Sequence, residues 1–516
     1  MGTVPSTKKA FLEEVKGGHI PPLHLEIPYG DPCGIYEALV REGGSTRNSM
    51  LLESVKGPYK IARYSFILFA PYLLLRAKDG EVTIHATVGD RHSVSFRPPL
   101  DRLKELITAY PQRRIPELPP FQGGAAGLIS YDFVRYIEDI PKNATDDLRI
   151  PDLHFMMADR VVAFDHSEKR AWVIVSPGAR DTQLGYRDIG QIDFNHAYDE
   201  ARELLLETER RTGDRERKGA APLSPGSSPS PSLRYEMSKE RYMDIVRRAK
   251  EYIAAGDIFQ ANLSQRISSP IGEREPWEIY KVLREINPSP FAAYADFGDY
   301  QIVSSSPERL VKVTGRTIET RPIAGTRPRG RDGSEDEAMR SELLLHPKER
   351  AEHIMLIDLE RNDIGRVSEY GSVTVDELMI TEDYSHVIHI VSNVKGLLQE
   401  GKTCFDVIRA AFPGGTITGV PKVRCMEIID ELEPVVRGPY TGSLGYIGFS
   451  GNMDLNIVIR TFTIKDGTAY VQAGAGIVAD SDPEREYYET LKKAEALIKT
   501  LEVPHGAPCG AQRRDG

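Results

Sequence analysis

The stretch FTIKDGTAYVQAG, residues 462 to 474, places the pair Asp466-Gly467 between two strand-like runs. An Asp-Gly pair in this position is typical of a two-residue β-hairpin turn, so the segment predicts two antiparallel strands. The stretch IFQANLSQRI, residues 258 to 267, alternates in the manner of a strand, with Phe259, Ala261 and Leu263 on one face. Strand-like and helical segments are mixed along the chain without a regular alternation. We therefore predict an α+β fold with large antiparallel β-sheets.

Local composition divides the chain into four parts. Residues 8–212 contain short apolar runs between turns, which predict a strand-rich region, and close with the helical pattern HAYDEARELLLETERR. Residues 213–233 are dominated by Pro, Ser and Gly and predict a flexible linker. Residues 234–503 carry helical patterns at both ends, where a glycine at 256 ends the first helix and a proline at 483 begins the last. Residues 504–516 are predicted to be a disordered tail.

The charge balance and the apolar pattern exclude several classes of protein. The 516 residues include 76 acidic and 66 basic ones, a net charge of -10, so nucleic acid and anionic membranes are poor partners. The longest apolar stretch, residues 64–77, is interrupted by Pro71 and is shorter than the roughly 20 residues of a membrane span. The four cysteines have no metal-ligand spacing, and the start of the chain has no apolar signal region. We predict reduced thiols in a cytoplasmic protein.

Two pairs of glutamates are candidate metal ligands. Glu349 and Glu352 are three residues apart in KERAEHIMLIDLERND, as are Glu486 and Glu489 in the last helix, so each pair lies on one helix face. Four carboxylates without a nearby cysteine suit a hard cation such as Mg²⁺. Alternatively, each pair simply lies on a solvent-exposed helix surface. The apolar run after Glu352 argues against this second interpretation for the first pair.

The second half of the chain also contains candidate anion-binding residues. Arg460 lies in the apolar, strand-like run NIVIRTF, where an unpaired charge is costly. The closely spaced glycines of QAGAGIVAD, residues 472–480, offer backbone N–H groups to a carboxylate; they do not precede a helix, which excludes a dinucleotide site. Lys493, one turn after Glu489, binds an anion or simply pairs with that glutamate. A lone buried histidine such as His389 is usually a core residue, and a turn glutamate such as Glu308 is usually exposed.

Seven ordered blocks between residues 236 and 500 resemble those of the chorismate-utilising enzymes. They are GDIFQANLSQR, SSSPERL, RPIAGTRPRG, KERAEHIMLIDLERNDIG, FPGGTITGVPKVRCMEIIDELEP, RGPYTGSLGYIGFSGNMDLNIVIRTF and AGAGIVADSDPEREYYETLKKA. The resemblance implies large antiparallel sheets with helices packed outside and an active site that binds chorismate through Mg²⁺. It implies Glu352 and Glu489 as metal ligands, supported by Glu349 and Glu486. It places the substrate carboxylates and other contacts at Thr416, Tyr440, Arg460, Gly474, Gly476 and Lys493.

The resemblance also assigns the reacting groups. Glu308 becomes the acid that protonates the departing 4-hydroxyl group, and His389 assists the loss of pyruvate. Family members that activate water carry a lysine where this chain has Gln260, and aminodeoxychorismate synthases carry a nucleophilic lysine where it has Ala324. A methyl group cannot attack the ring, so Ala324 indicates free ammonia as the nucleophile, as in the large subunit of anthranilate synthases. Alternatively, Ala324 simply packs in a strand.

Two other functions stay open at this point. NLSQR, PYTGSLGYIG and the segment from residue 287 to residue 310 are more similar to the aminodeoxychorismate synthase branch, which releases its product without pyruvate. A non-catalytic tryptophan-binding regulator is the alternative from another class. The resemblance further implies a separate glutamine amidotransferase subunit that supplies ammonia, and inhibition by tryptophan. The predicted tryptophan-binding residues are Glu53, Ser54, Asn287, Pro288, Ser289 and Pro290, whereas Phe291 and Ala292 depart from the family pattern.

Overall fold

The structure is a computed structural model that describes residues 7–41, 47–58, 60–87, 89–182, 189–213, 231–330, 332–383 and 387–504. Most of the predicted linker, nearly all of the predicted tail, and Cys509 lie outside these ranges. The α-helices are α1 (Lys8–Lys16), α2 (Pro32–Tyr36), α3 (Pro99–Thr108), α4 (Phe194–Gly213), α5 (Lys239–Ala255), α6 (Pro276–Ile286), α7 (Gly333–Leu345), α8 (Pro347–Gly365), α9 (Cys404–Ala411), α10 (Lys422–Leu432) and α11 (Pro483–Glu502).

Two twelve-stranded antiparallel sheets form the body of the molecule. In spatial order the first sheet contains β1 (Leu23–Ile27), β10 (Arg170–Val175), β9 (Arg160–Asp165), β3 (Tyr64–Leu68), β2 (Ser49–Glu53), β13 (Phe291–Asp296), β14 (Tyr300–Ser306), β23 (Thr461–Lys465), β24 (Thr468–Ile477), β12 (Gln260–Pro270) and β11 (Arg234–Tyr235), with β20 (Gly419–Val420) also paired to β12.

The second sheet runs from β17 to β6 and has the same antiparallel character. In spatial order it contains β17 (Ile323–Pro328), β19 (Val387–Leu397), β16 (Thr317–Thr320), β15 (Arg309–Thr314), β22 (Met453–Asn456), β21 (Ser443–Gly448), β7 (Gly124–Ile129), β8 (Leu153–Ala158), β4 (Leu73–Lys78), β5 (Glu81–Ala86) and β6 (Arg91–Ser95), with β18 (Thr374–Asp383) also paired to β19. These sheets confirm the predicted fold class.

The predicted hairpin forms, and its turn chemistry explains why. Asp466 and Gly467 both have positive φ, 49° and 70°, as the favoured two-residue hairpin turn requires. They join β23 to β24 with Lys465 opposite Thr468. The strand at residue 260 is also present, with Ala261 and Leu263 buried, whereas Phe259 precedes the strand and is 71% exposed, so the predicted alternation starts one residue too early.

Both sheets are built from both halves of the chain. In the first sheet β2 pairs with β13, and in the second β7 pairs with β21. Helices α5, α6 and α11 pack against the first sheet, and α7, α8 and α9 against the second. The predicted N-terminal and catalytic regions differ in sequence, but each of the two sheets contains strands from both regions.

Three of the four cysteines, Cys33, Cys404 and Cys425, are buried free thiols in the described residues. Burial raises the pKa of Cys404 and of Cys425 to about 12, so both are protonated and unreactive at neutral pH. Among the helices that the structure describes, none has the length and apolar character of a transmembrane segment.

Candidate active site

The predicted site residues lie where the two sheets approach each other. The first sheet contributes the beginning of β12 and the end of β24, and the second contributes β17, β19 and the residues just before β15. Helices α8 and α11 and the 3₁₀ turn Gly415–Ile417 complete the surroundings. All of these elements come from the second half of the chain, where β12 pairs with β24 in the first sheet and β17 pairs with β19 in the second.

Glu308 occupies the link between β14 and β15 and is buried, 6% exposed. Burial raises the pKa of its carboxyl group to about 7, because the charged form loses its hydration. Thr416, the backbone of Ile323 and the charges of Arg460 and Lys493 act against this increase. Glu308 is thus a carboxyl group poised to exchange a proton near neutral pH, beside three of the predicted substrate-binding residues.

Arg460 lies in a break of the chain and not in a strand, which corrects the sequence interpretation. Residues 457–459 have no regular structure, and Arg460 has φ of 51°, a left-handed conformation that is rare for a side chain of this size. Its backbone carbonyl accepts a hydrogen bond from Ser305 N at 3.1 Å. The Arg460 charge lowers the pKa of both Glu308 and His389, so the guanidinium group faces the site. Strain of this kind is common at functional positions.

His389 is a buried residue of β19 with a defined tautomer. Its Nδ1 lies 2.9 Å from the carbonyl oxygen of Gly325 and 3.1 Å from the Thr326 hydroxyl. A carbonyl oxygen only accepts, so Nδ1 carries the proton and Nε2 carries the lone pair. Burial and the charge of Arg460 lower the pKa of His389 to about 4. The imidazole is therefore neutral at physiological pH and can act as a base through Nε2.

Ala324 lies on β17, opposite Ile390 of β19. A β-bulge follows it, at Gly325, whose φ is 59°. A Cβ atom on Gly325 would lie 2.9 Å from Oε2 of Glu349, so the bulge brings the Ala324 strand next to one of the predicted metal-site glutamates. Glu349 of α8 therefore lies beside the bulge that follows Ala324, and His389 pairs with Thr326 on the other side of that bulge.

The four glutamates face one another from two helices. Burial raises the pKa of Glu352 against the effect of Lys348, and the charges of Glu349, Glu489 and Glu486 raise it further. The like charges are thus close enough to repel one another. In the part of the chain that the structure describes, no three of these four carboxylates have ligand atoms that all lie within 4.8 Å of one another. An all-oxygen set of mutually repelling carboxylates fits Mg²⁺, which also takes water and substrate oxygens as ligands.

A second group of predicted residues surrounds the end of β24. Lys493 donates to the carbonyl oxygen of Gly474 at 2.9 Å and pairs with Glu489 at 2.8 Å. A Cβ atom on Gly474 would lie 2.8 Å from the Tyr440 hydroxyl, and one on Gly476 would lie 2.4 Å from Nε2 of Gln260. Each glycine therefore allows a polar side chain to cross the strand, which explains why larger residues are absent there.

Gly474→Ala is expected to displace Tyr440 and Asn262, whose Oδ1 would lie 2.5 Å from the new methyl group. We expect a loss of stability of about 1–3 kcal/mol and a higher KM for the substrate, because overpacking shifts groups that line the site. Thermal unfolding and steady-state kinetics measure the two effects. Gly190→Ala is the control, since nothing lies within 4 Å of its Cβ position. Unchanged stability and KM in Gly474→Ala would contradict this placement of Tyr440.

The predicted tryptophan-binding residues divide into two groups. Glu53, Ser54 and Pro290 line a cavity of about 240 Å³ between β2, β3, β13 and the second sheet, which we call the β2–β13 cavity. Asn287 lies outside its lining and donates to the Ser305 hydroxyl at 2.8 Å, while Pro288 and Ser289 also lie outside it. The remaining lining residues are Leu52, Lys60, Ile61, Arg63, Tyr64, Phe66, Pro120, Phe291, Ala292, Arg309, Lys312, Leu444, Gly445, Tyr446, Asp454 and Asn456.

Glu53 is held within the protein. Its carboxylate accepts three contacts from the Arg284 guanidinium, at 2.7, 2.8 and 3.0 Å, and one from the Tyr280 hydroxyl at 2.7 Å. The cavity lining also contains Lys60, Arg63 and Lys312, which form ion pairs with Glu377, Asp165 and Glu319.

Sequence reasoning missed several groups around the site. Glu360 is buried, accepts a hydrogen bond from Thr320 at 2.9 Å, and has a pKa raised to about 8, first by burial and then by Asp363. The ion pair of Arg437 and Glu433, both buried, lies beside Tyr440. Charged residues inside the apolar runs of the KERAEHIMLIDLERNDIG and FPGGTITGVPKVRCMEIIDELEP blocks were the available signal.

Comparison with known proteins identifies the class. Residues 47–499 match the family model of the chorismate binding enzymes, so the chain belongs to this family and the predicted resemblance is confirmed. It is 47% identical to anthranilate synthase component 1 of Thermus thermophilus, over 88% of this chain and 92% of that protein. It is 44% identical to aminodeoxychorismate synthase component 1 of Bacillus subtilis, over 89% of this chain and 93% of that protein. The crystal structure of anthranilate synthase component I from Streptococcus pneumoniae matches with a TM-score of 0.72 at 36% identity, over 84% of this chain and 92% of that one.

Proposed function

We propose that this protein is the large subunit of an anthranilate synthase, which converts chorismate and ammonia to anthranilate and pyruvate in tryptophan biosynthesis. Relatives named anthranilate synthase component 1, at 41–47% identity, support this function. The observation that carries it is Ala324, whose methyl group lies on β17 beside the strand of His389 and leaves room for ammonia where an amine side chain would otherwise attack.

The proposed chemistry uses the groups of the site in order. Ammonia forms a bond to C2 of the ring, the double bonds shift, and Glu308 protonates the 4-hydroxyl group, which leaves as water. Nε2 of His389 then accepts the proton from C2 while the bond from C3 to the enolpyruvyl oxygen breaks, and the departing enolpyruvate takes up a proton at its methylene carbon to become pyruvate. Tyr440, Arg460, Lys493 and the backbone of the Gly474 strand orient the substrate carboxylates.

Glu352 and Glu489, with Glu349 and Glu486 beside them, would hold a Mg²⁺ ion. The ion would supply positive charge next to a substrate carboxylate and to the developing negative charge. The chain's own groups still perform the proton transfers: the pKa of Glu308 is raised to about 7, which suits an acid near neutral pH, and the lowered pKa of His389 leaves its imidazole unprotonated and able to accept a proton.

An aminodeoxychorismate synthase subunit is the second candidate, supported by the Bacillus subtilis relative. It differs in its product, because it would release aminodeoxychorismate and keep the enolpyruvyl group. A non-catalytic regulator is disfavoured by the presence of Glu308, His389 and the glutamates around one site. Either enzyme requires ammonia, which we assign to a separate glutamine amidotransferase subunit of the cytoplasm.

We also propose that L-tryptophan binds in the β2–β13 cavity and inhibits the enzyme. The cavity offers aromatic walls, from Tyr64, Phe66 and Tyr446, and the cationic group of Arg309 for a carboxylate. Thermal unfolding and turnover with added L-tryptophan test this directly. No change in either property at saturating concentration would rule out binding.

The decisive experiment follows two products at once. The purified chain is incubated with chorismate, Mg²⁺ and an ammonium salt at mildly alkaline pH, while anthranilate fluorescence and pyruvate are recorded together. We expect both to appear at the same rate and to cease after EDTA is added. Aminodeoxychorismate without pyruvate would identify the second candidate, and no consumption of chorismate would favour the regulator.

Ala324→Lys is expected to lower ammonia-dependent anthranilate formation by about a hundredfold, because the long side chain fills the path of the nucleophile. Its amine would be free to attack C2, so chorismate consumption is expected to fall less than anthranilate formation. Both rates are measured by chromatography of the products. Pro328→Lys is the control, since Pro328 is exposed on the same strand. Full anthranilate formation by Ala324→Lys would show that position 324 does not border the nucleophile.

A further inference from the structure

The β2–β13 cavity and the candidate active site share a pair of consecutive residues. Glu308 is surrounded by Thr416, Arg460 and Lys493 of the site. Arg309, the next residue, instead lines the cavity and extends its guanidinium group to Asp454 in the cavity wall. Adjacent residues at the start of a strand point to opposite sides, so β15 separates the two compartments at this point.

Arg309 is held in one position. Its Nε donates to Oδ1 of Asp454 at 2.8 Å and its Nη2 donates to Oδ2 at 3.0 Å. The guanidinium carbon also lies 5.1 Å from the ring centroid of Phe291, and the residue is 7% exposed. A bidentate, buried ion pair fixes direction as well as distance, so it also fixes the backbone that carries Glu308.

Asp454, the acidic partner of the pair, lies six residues before Arg460 in the chain. Asp454 is on β22, and the first residue after that strand, Ile457, donates its N–H to the carbonyl oxygen of Glu308 at 3.0 Å. Three residues later the chain reaches Arg460 in its left-handed conformation. The Arg309–Asp454 pair therefore clamps the two segments that carry the proposed acid and an anion-binding arginine.

We propose that Arg309 is a positioning residue: its ion pair with Asp454 holds Glu308 and Arg460 in place, and an aromatic amino acid in the β2–β13 cavity slows turnover by disturbing this pair. The ligand's carboxylate would compete with Asp454 for Arg309, and its ring would compete with the guanidinium group for Phe291. This inference rests on the proposed function, since it concerns the regulation of the same site.

The first test separates positioning from folding. We expect Asp454→Asn to lower kcat for chorismate consumption by about tenfold or more while KM changes less than about threefold, because a displaced acid slows chemistry without removing substrate contacts. Asp165→Asn is the matched control: Asp165 pairs at 2.7 Å with Arg63, which lines the same cavity, but neither residue adjoins a site residue. The double variant Arg309→Gln/Asp454→Asn removes both charges and serves where the single variant fails to fold. Normal kcat in either folded variant would overturn the proposal.

The second test measures coupling to the cavity. L-tryptophan binding is followed by isothermal titration calorimetry and inhibition by the loss of chorismate absorbance, on the wild type and the same variants. We expect Asp454→Asn to bind L-tryptophan at least as tightly as the wild type, because no carboxylate competes for Arg309, while the fraction of activity that saturating L-tryptophan removes falls at least twofold. Parallel loss of binding and inhibition, or a wild type that L-tryptophan does not inhibit, would overturn the coupling. Chorismate loss without anthranilate would instead contradict the proposed function and leave the coupling measurable.

Discussion

Glu308→Gln is expected to lower kcat on the order of 10³-fold, because glutamine keeps the shape of the side chain but cannot protonate the leaving hydroxyl group. The folded-state pKa of about 7 predicts the pH profile of the wild type. At a constant concentration of free ammonia, kcat/KM for chorismate is expected to fall as the pH rises through about 7, since the acid loses its proton. A variant that retains a tenth of the activity would contradict the assignment.

The same substitution is expected to increase stability at alkaline pH. The folded-state pKa of Glu308 lies above the ordinary value of 4.5, so the native state binds the proton more tightly than the unfolded state. The free energy of unfolding therefore decreases as the pH rises from 4.5 to about 7, and above that the loss is complete, at about 3 kcal/mol. Glutamine does not ionise and so avoids this loss. The melting temperature of Glu308→Gln minus that of the wild type is therefore expected to be larger at pH 8 than at pH 4. Glu337→Gln, at an exposed position, controls for the chemistry of the substitution.

The strands with strong local signals were predictable from the sequence, and their long-range pairing was not. The Asp466-Gly467 turn specifies its hairpin because both residues tolerate positive φ. The pairing of β2 with β13 joins residues more than two hundred positions apart, which no local pattern encodes. Phe259 illustrates the limit at a strand end, where alternation continues in the sequence although the residue is exposed.

The site residues were predictable only as a set of family motifs. The glutamate spacing on α8 and α11 indicated one face for each pair, but not that the two faces meet. Arg460 was expected in a strand because its neighbours are apolar, whereas the structure places it at a break with a strained backbone. The Arg309–Asp454 pair joins residues 145 positions apart, and its two members have no sequence signal of their own.

Glu352→Gln is expected to abolish activity, with a loss on the order of 10³-fold, because a bound cation contributes several kcal/mol of charge stabilisation that needs this ligand. The variant also tests the metal site without any turnover. Mg²⁺ stabilises the folded protein in proportion to its occupancy, so added Mg²⁺ is expected to raise the melting temperature of the wild type and to leave that of Glu352→Gln almost unchanged.

Without a bound metal ion, Glu352→Gln should melt at a higher temperature than the wild type. The charges of Glu349, Glu489 and Glu486 repel that of Glu352, so removal of one charge relieves the repulsion and raises the melting temperature in EDTA. Glu251→Gln, on the exposed side of α5, should show neither effect. If Mg²⁺ raised the melting temperatures of the wild type and Glu352→Gln equally, the four glutamates would be a charged helix face and the cation would bind elsewhere. If these carboxylates share one ion, Glu352→Gln should melt at a higher temperature than the wild type in EDTA and at a lower temperature in Mg²⁺.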